Sequence, residues 1–219
     1  KALPYDPVAD LAPISLVGQV PFLLVVNPAL PVRTLQGFIA YARANPGKLN
    51  YSSFGNNTSN HLNGELLKSL AKIDTVHVPY KGSGPSITDL IGGQVQYTLD
   101  APPAVLEHVR AGRLRALAVA SSQRLPSAPT VPTFAEAGLE GFIGGTWFGL
   151  LAPARTPPAV IERLNKETVA ALASDELAKA FNERNILPSG NSADAFGRFI
   201  RAEVDKWKQL AAKLGIVAE

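Results

Sequence analysis

The sequence predicts an α/β fold, with one complete α/β domain and part of a second. Three observations carry this. Residues 20–121 alternate short apolar runs with helical periodicities, giving about five strands separated by helices. Parallel neighbours need crossover helices, so the sheet is expected to be largely parallel. Residues 122–219 change rhythm and offer three good helices but only one or two strands, too few to bury a sheet's faces. The 219 residues are 46% hydrophobic and 18% charged, which places the chain among globular rather than disordered sequences.

Each element has a local reason. Phe22–Asn27 is a continuous apolar run ended by Pro28, as a buried strand reads. Leu35, Phe38, Ile39 and Ala42 recur at helical spacing behind a Thr34 cap, and Asn45, Pro46 and Gly47 stop that helix. Leu49–Ser52 is a short strand, and Leu62, Leu66, Leu67 and Leu70 mark a helix opened by Thr58 or Ser59. Val76–Val78 and Val95–Leu99 read as strands and flank a short helix over Ser86–Ile91. Pro102–Arg110 is a helix stopped near Gly112, and Leu114–Ala120 is another buried strand. Ser121–Pro132, rich in Ser and Pro, reads as a connector, and Phe134–Gly138 as a short helix. Thr146–Leu151 is a strand. Pro157–Ala173 is a helix with Pro in its first turn, Asp175–Arg184 a second, and Ala195–Leu214 a third with an apolar stripe that includes Phe196, Phe199 and Trp207 as core.

Composition excludes several functions. With no cysteine, disulfides, thiolate metal sites and cysteine nucleophiles are absent. His61, His77 and His108 show no metal-ligand spacing, and neither GxSxG nor GxGxxG occurs, so a structural role is expected for each histidine and no catalytic group, metal or cofactor. No apolar run approaches the roughly 18 residues that span a bilayer, and no signal peptide is visible. The net charge of +3 is uneven: residues 20–121 carry +4, residues 122–219 are neutral and the first 19 carry −1. That excess is too small and scattered for a nucleic-acid stripe; a small anionic ligand and a bland solvated surface fit it equally. Residue 1 is Lys and the chain has no Met, so it is expected to be an internal piece of a longer product.

Three loops follow strands of the middle segment, at the edge where open α/β sheets bind ligands. Tyr51–His61 runs into a helix N-terminus, with Ser52, Ser53, Asn56, Asn57, Thr58 and Ser59 around its free N–H groups. It is either a carboxylate or phosphate site or an ordinary capped loop. His77–Pro85 carries Gly82 and Gly84, which let backbone approach a ligand, and Lys81, a cation; it is either a second ligand loop or a tight turn with an exposed Lys. Asp100 ends an apolar strand, where it either lies in a cleft, accepting from a ligand ammonium or hydroxyl, or caps the next helix. Trp147 and Phe148 either line a cleft or belong to the core.

Taken in order, these segments resemble the substrate-binding receptors of tripartite tricarboxylate transporters, the Bug family. The markers are Leu3–Pro7 with Leu11–Ser15, Val25–Pro28, Asn45–Tyr51, Gly55–His61 and His77–Gly82. Gly92–Val95 with Asp100, Gly112–Ala118, Val131–Thr133 with Glu136–Gly138, and Trp147–Pro153 complete the series. The resemblance implies a two-domain, type II periplasmic-binding-protein architecture that closes like a hinged clamp on a small carboxylate, an organic acid or acidic amino acid. It implies a periplasmic location, a membrane permease as partner and no catalysed reaction. Residues 20–121 would form the second domain. Residues 1–19 and 122–219 would form the C-terminal part of the first, whose N-terminal strands family members carry upstream. The ligand residues carried over by position are Ser53, Asn57, Thr58, Ser59, Tyr80, Lys81, Asp100 and Trp147 or Phe148.

Two other classes remain. A chain lacking covering strands would expose apolar helix faces and sheet edges, acting as an oligomerising or interaction module that binds no ligand and associates with itself. An enzyme is not supported, because no acid–base or nucleophile constellation stands out.

Overall fold

The computed structural model describes residues 4–215; Leu3, first of the family markers, and the ends of the expected first domain lie outside the described residues. The chain forms two compact units, residues 20–146 and the remainder. The divisions fall inside two strands, after Gln19 and after Thr146.

In the 20–146 unit, β2 (Leu23–Val26), β3 (Asn50–Ser53), β4 (Val76–Pro79), β5 (Tyr97–Asp100) and β6 (Arg115–Val119) form one sheet, ordered β4-β3-β5-β2-β6. β3 runs parallel to β4 and β5, with Ser53 beside Pro79 and Ser52 beside Thr98. β2 runs antiparallel to both neighbours, pairing Leu23 with Asp100 and with Val119. The sheet expected to be largely parallel is therefore mixed, with β2 as the strand that runs against the others. The chain enters β2 at the edge where β5 and β6 end, so β2 can only run the other way. Apolarity buries it: Leu23, Leu24, Val25 and Val26 are fully inaccessible, as a strand covered on both faces must be.

Helices α1 (Leu35–Ala44), α2 (Ser59–Ala71), α3 (Ser83–Ile91) and α4 (Pro102–Arg110) connect the strands. α1 buries Leu35, Phe38, Ile39 and Ala42, the four positions its periodicity picks out, and Thr34 Oγ1 accepts from Gly37 N. α2 carries Gly64 where the Tyr51 ring lies against it; a Cβ there would stand 2.3 Å from Tyr51 Cε2.

Residues 122–146, expected with the tail, pack into this unit instead. Val119 N donates to Pro132 O and Phe134 N to Val119 O, which lays 132–134 along β6. Phe134 and Phe142 then enter the sheet's core with their rings 4.2 Å apart. The helix expected over Phe134–Gly138 is a run of turns. Glu136 accepts from Thr133 N and Arg124 Nε there, and Gly138 leaves helical conformation at φ 87°.

The second unit has a three-stranded sheet, ordered β7-β1-β8, built from β1 (Leu11–Pro21), β7 (Gly145–Pro153) and β8 (Leu187–Pro188). β1 is the longest strand described and breaks the apolar pattern with Pro13, Ser15 and Gly18. With it go α5 (Pro158–Leu172), α6 (Asp175–Glu183) and α7 (Ala193–Leu214). Ser174 caps α6 and Ser192 caps α7, each helix with an acid in its first turn. Phe196 and Leu210 of α7 are buried, but Trp207 is only half-buried, donating from Nε1 to Glu203 Oε2 at 3.0 Å. An amphipathic indole keeps its polar tip near water, so it is not the core residue its stripe suggests.

Candidate functional site

The parallel strands β4, β3 and β5 end side by side at Pro79, Ser53 and Asp100. Their loops therefore leave the same edge, and α2, α3 and α4 start there. An α-helix leaves its first four N–H groups without intrahelical partners, and its N-terminus carries partial positive charge. The caps at this edge are Thr58, Gly82 and Ala101, none of which makes a side-chain cap hydrogen bond, and none of the three helices has an acid in its first turn. α1, whose strand β2 runs the other way, starts at the opposite edge and is capped. Pro102 and Pro103 lack N–H groups, so α2 and α3 supply most of the donors.

The β3–α2 loop is held from within. Ser53 is fully buried, and its Oγ lies 3.0 Å from Gly55 O and 3.1 Å from Gly55 N. The Thr58 hydroxyl, instead of capping α2, lies 2.7 Å from Gly55 O and 2.8 Å from Asn60 Oδ1. Phe54 N also donates to Asn60 Oδ1, which fixes the amide's orientation and leaves Nδ2 buried and unpartnered among the described residues. An unpaired buried donor is costly unless something accepts from it. Ser59 Oγ lies 3.2 Å from Thr146 Oγ1. Asn57 sits at φ 59° and its N–H donates to His61 Nδ1 at 3.0 Å.

The β4–α3 loop adds an exposed Lys81 and an open backbone at Gly82, φ 108°, where a Cβ would meet nothing within 4 Å. Tyr80 turns its hydroxyl away to Asp89 Oδ2, 2.7 Å. Burial, together with that bond to a carboxylate, pushes the phenol up to about 12. Asp100 is 1% exposed. Its Oδ2 accepts from Ser83 Oγ at 2.7 Å and its Oδ1 from Ala101 N at 2.6 Å. Burial outweighs both bonds and raises the carboxyl to about 6, so it is partly protonated near neutral pH.

Of the residues expected from sequence, Ser53, Asn57, Thr58, Ser59, Tyr80, Lys81 and Asp100 thus lie in one unit, on loops from one sheet edge. Trp147 and Phe148 belong to the other unit. Trp147 meets Phe196 and Phe199 edge-on, with centroids 5.9 and 5.4 Å away, and Phe148 is 52% exposed. Sequence reasoning missed Ser83 and Asn60. Neither carries a signal of its own: Ser83 sits between two glycines of a turn, and Asn60 among several polar loop residues. Among the described residues no cluster of three or more His, Asp or Glu could hold a metal, and no helix is long and apolar enough to cross a membrane.

The chain matches the model of the tripartite tricarboxylate transporter family receptor over residues 1–216. It is 38% identical to BugT of Bordetella pertussis over 98% of this chain and 66% of that protein. Among solved structures, R. palustris Rpa4515 with adipate superposes with a TM-score of 0.82 at 36% identity, over 99% of this chain and 73% of that one. MatC from Rhodopseudomonas palustris with bound malate gives 0.77 at 30% identity, over 96% and 72%. The chain spans 62–66% of the length of the first curated relatives it matches.

Proposed function

The chain belongs to the tripartite tricarboxylate transporter family receptors, a periplasmic-binding-protein fold, and from that premise we propose that it serves to capture a small carboxylate. The ligand class is an organic acid or acidic amino acid, bound outside the cytoplasm and handed to the permease subunits of a tripartite tricarboxylate transporter. The observation that carries this reading is the edge where α2 and α3 begin with neither a side-chain cap nor a first-turn acid. Such N-termini attract carboxylates. Ser59 and Asn57 supply a hydroxyl and an amide around one of them, Thr58 and Ser53 brace the loop, Lys81 adds charge, and Asp100 and Tyr80 fix the neighbouring loops through Ser83 and Asp89. Adipate on Rpa4515 and malate on MatC support the same ligand class. The family is one of receptors rather than enzymes. Calorimetric titration with a panel of di- and tricarboxylates and acidic amino acids tests the proposal, with saturable binding of at least one expected.

A second reading rests on the unit that carries β1, β7 and β8. Phe148 and Leu150 of β7, and Val160 and Leu164 of α5, are 42–52% exposed. Each pair shares one face of its element by spacing, and β7 is an edge strand. An interaction module that binds no ligand would use these faces to self-associate. Concentration-dependent elution in gel filtration together with flat titrations would favour it.

A further inference from the structure

Two histidines hold the β3–α2 loop without belonging to it. The rings of His61, on α2, and His77, on β4, are stacked with centroids 3.9 Å apart and planes 10° from parallel. Each reaches one end of the loop. His77 Nε2 lies 2.6 Å from Ser53 Oγ, which brackets Gly55, and His61 Nδ1 accepts from the N–H of left-handed Asn57. The second bond requires a bare Nδ1, so the His61 proton sits on Nε2. We propose that the stacked His61–His77 pair is a positioning latch, which keeps this loop in its ligand-ready shape only while both imidazoles are neutral; this rests on reading the loop as a ligand site.

The surroundings are consistent with a neutral pair. The titratable and charged groups facing it are Tyr51 from β3, with Tyr97 from β5 stacked behind, and Glu65 and Lys68 from α2. Glu65 is already engaged, accepting from Tyr51 at 2.7 Å and Lys68 at 2.8 Å. Burial first, and then the neighbouring His61, hold His77 down to about 4, while burial lowers His61 against the pull of Glu65. Protonating His61 would put two N–H donors face to face at Asn57, and charging both rings would set like charges against each other across the stack.

Substitutions separate the latch from mere packing. His61→Asn keeps an acceptor near the Nδ1 position, His77→Gln keeps an amide that can donate or accept near Nε2, and neither titrates; His61→Leu removes the acceptor. Titrations with adipate, malate and related acids at near-neutral pH should show His61→Leu weakened about tenfold and His61→Asn close to wild type. On acidification to about pH 4, where His77 begins to charge, wild type should lose affinity well beyond the His61→Asn/His77→Gln pair, which shares the ligand's own protonation. Protection of the Asn57 amide, relative to its intrinsic exchange rate at the same pH, should fall in His61→Leu, and in acid for wild type alone. Parallel weakening of wild type and double variant, or unchanged Asn57 exchange in a folded His61→Leu protein, would overturn the latch. Absence of any carboxylate binding by wild type would instead overturn the functional reading, and Asn57 exchange alone would then decide the latch.

Discussion

Ser83 donates its hydroxyl to Asp100 Oδ2 across 2.7 Å, tying the first residue of α3 to the last residue of β5. The bond joins two of the three loops at the candidate site. It also leaves a buried carboxyl whose proton affinity burial has raised.

Asp100 should make the protein less stable as pH rises. Its folded pKa, about 6, lies above the ordinary 3.8, so the folded state holds the proton more tightly. The cost of the buried carboxylate grows as pH climbs from about 4 to 6 and is fully present above that. Asp100→Asn should therefore gain about 1–3 kcal/mol in urea unfolding near pH 8 and little near pH 4. Equal effects at both pH values would contradict this.

The stacked histidines should act in the opposite direction. Both are held below 6.5, so the unfolded chain takes up protons first and stability falls as pH drops from about 6.5 toward 4. The His61→Asn/His77→Gln protein should show a shallower decline over that window in thermal melts. An identical decline would place its cause elsewhere.

Thr58 spends its hydroxyl on Gly55 O and Asn60 Oδ1 rather than on capping α2. Thr58→Ala should cost about 1 kcal/mol or more of carboxylate binding, the scale of one hydrogen bond, whereas Thr58→Ser should retain most of it. Calorimetry on the two variants side by side checks this.

Gly64 is a poor helix former whose missing Cβ makes room for Tyr51. Gly64→Ala gains about 1 kcal/mol of helix propensity yet should destabilise the protein by about 1–3 kcal/mol through overpacking against the ring. A raised melting temperature would show that Tyr51 can move aside.

Much of the 20–146 unit was legible because its elements are locally self-consistent. The Leu35–Ala42 spacing, the Thr34 cap and the breakers at 45–47 all favour the same helix. The direction of β2 was not legible, since a fully buried strand reads the same in either sense. β1 was missed because Pro13, Ser15 and Gly18 interrupt its alternation. Residues 121–132 look like a connector, and 122–146 look like part of the tail, until Phe134 and Phe142 are seen in the core. At the site, sequence marked the loops but not what braces them. His61 and His77 are 16 positions apart, and only the parallel pairing of β3 with β4 brings their rings together.

The uncapped edge over α2 and α3 is where a carboxylate is proposed to bind. Calorimetric titration near neutral pH with adipate, malate, citrate and acidic amino acids, each beside its uncharged amide, tests it most directly. Saturable one-site binding of at least one acid is expected, absent for its amide and weakened in Thr58→Ala. Flat heats for every acid, or equal binding of acid and amide, would contradict it.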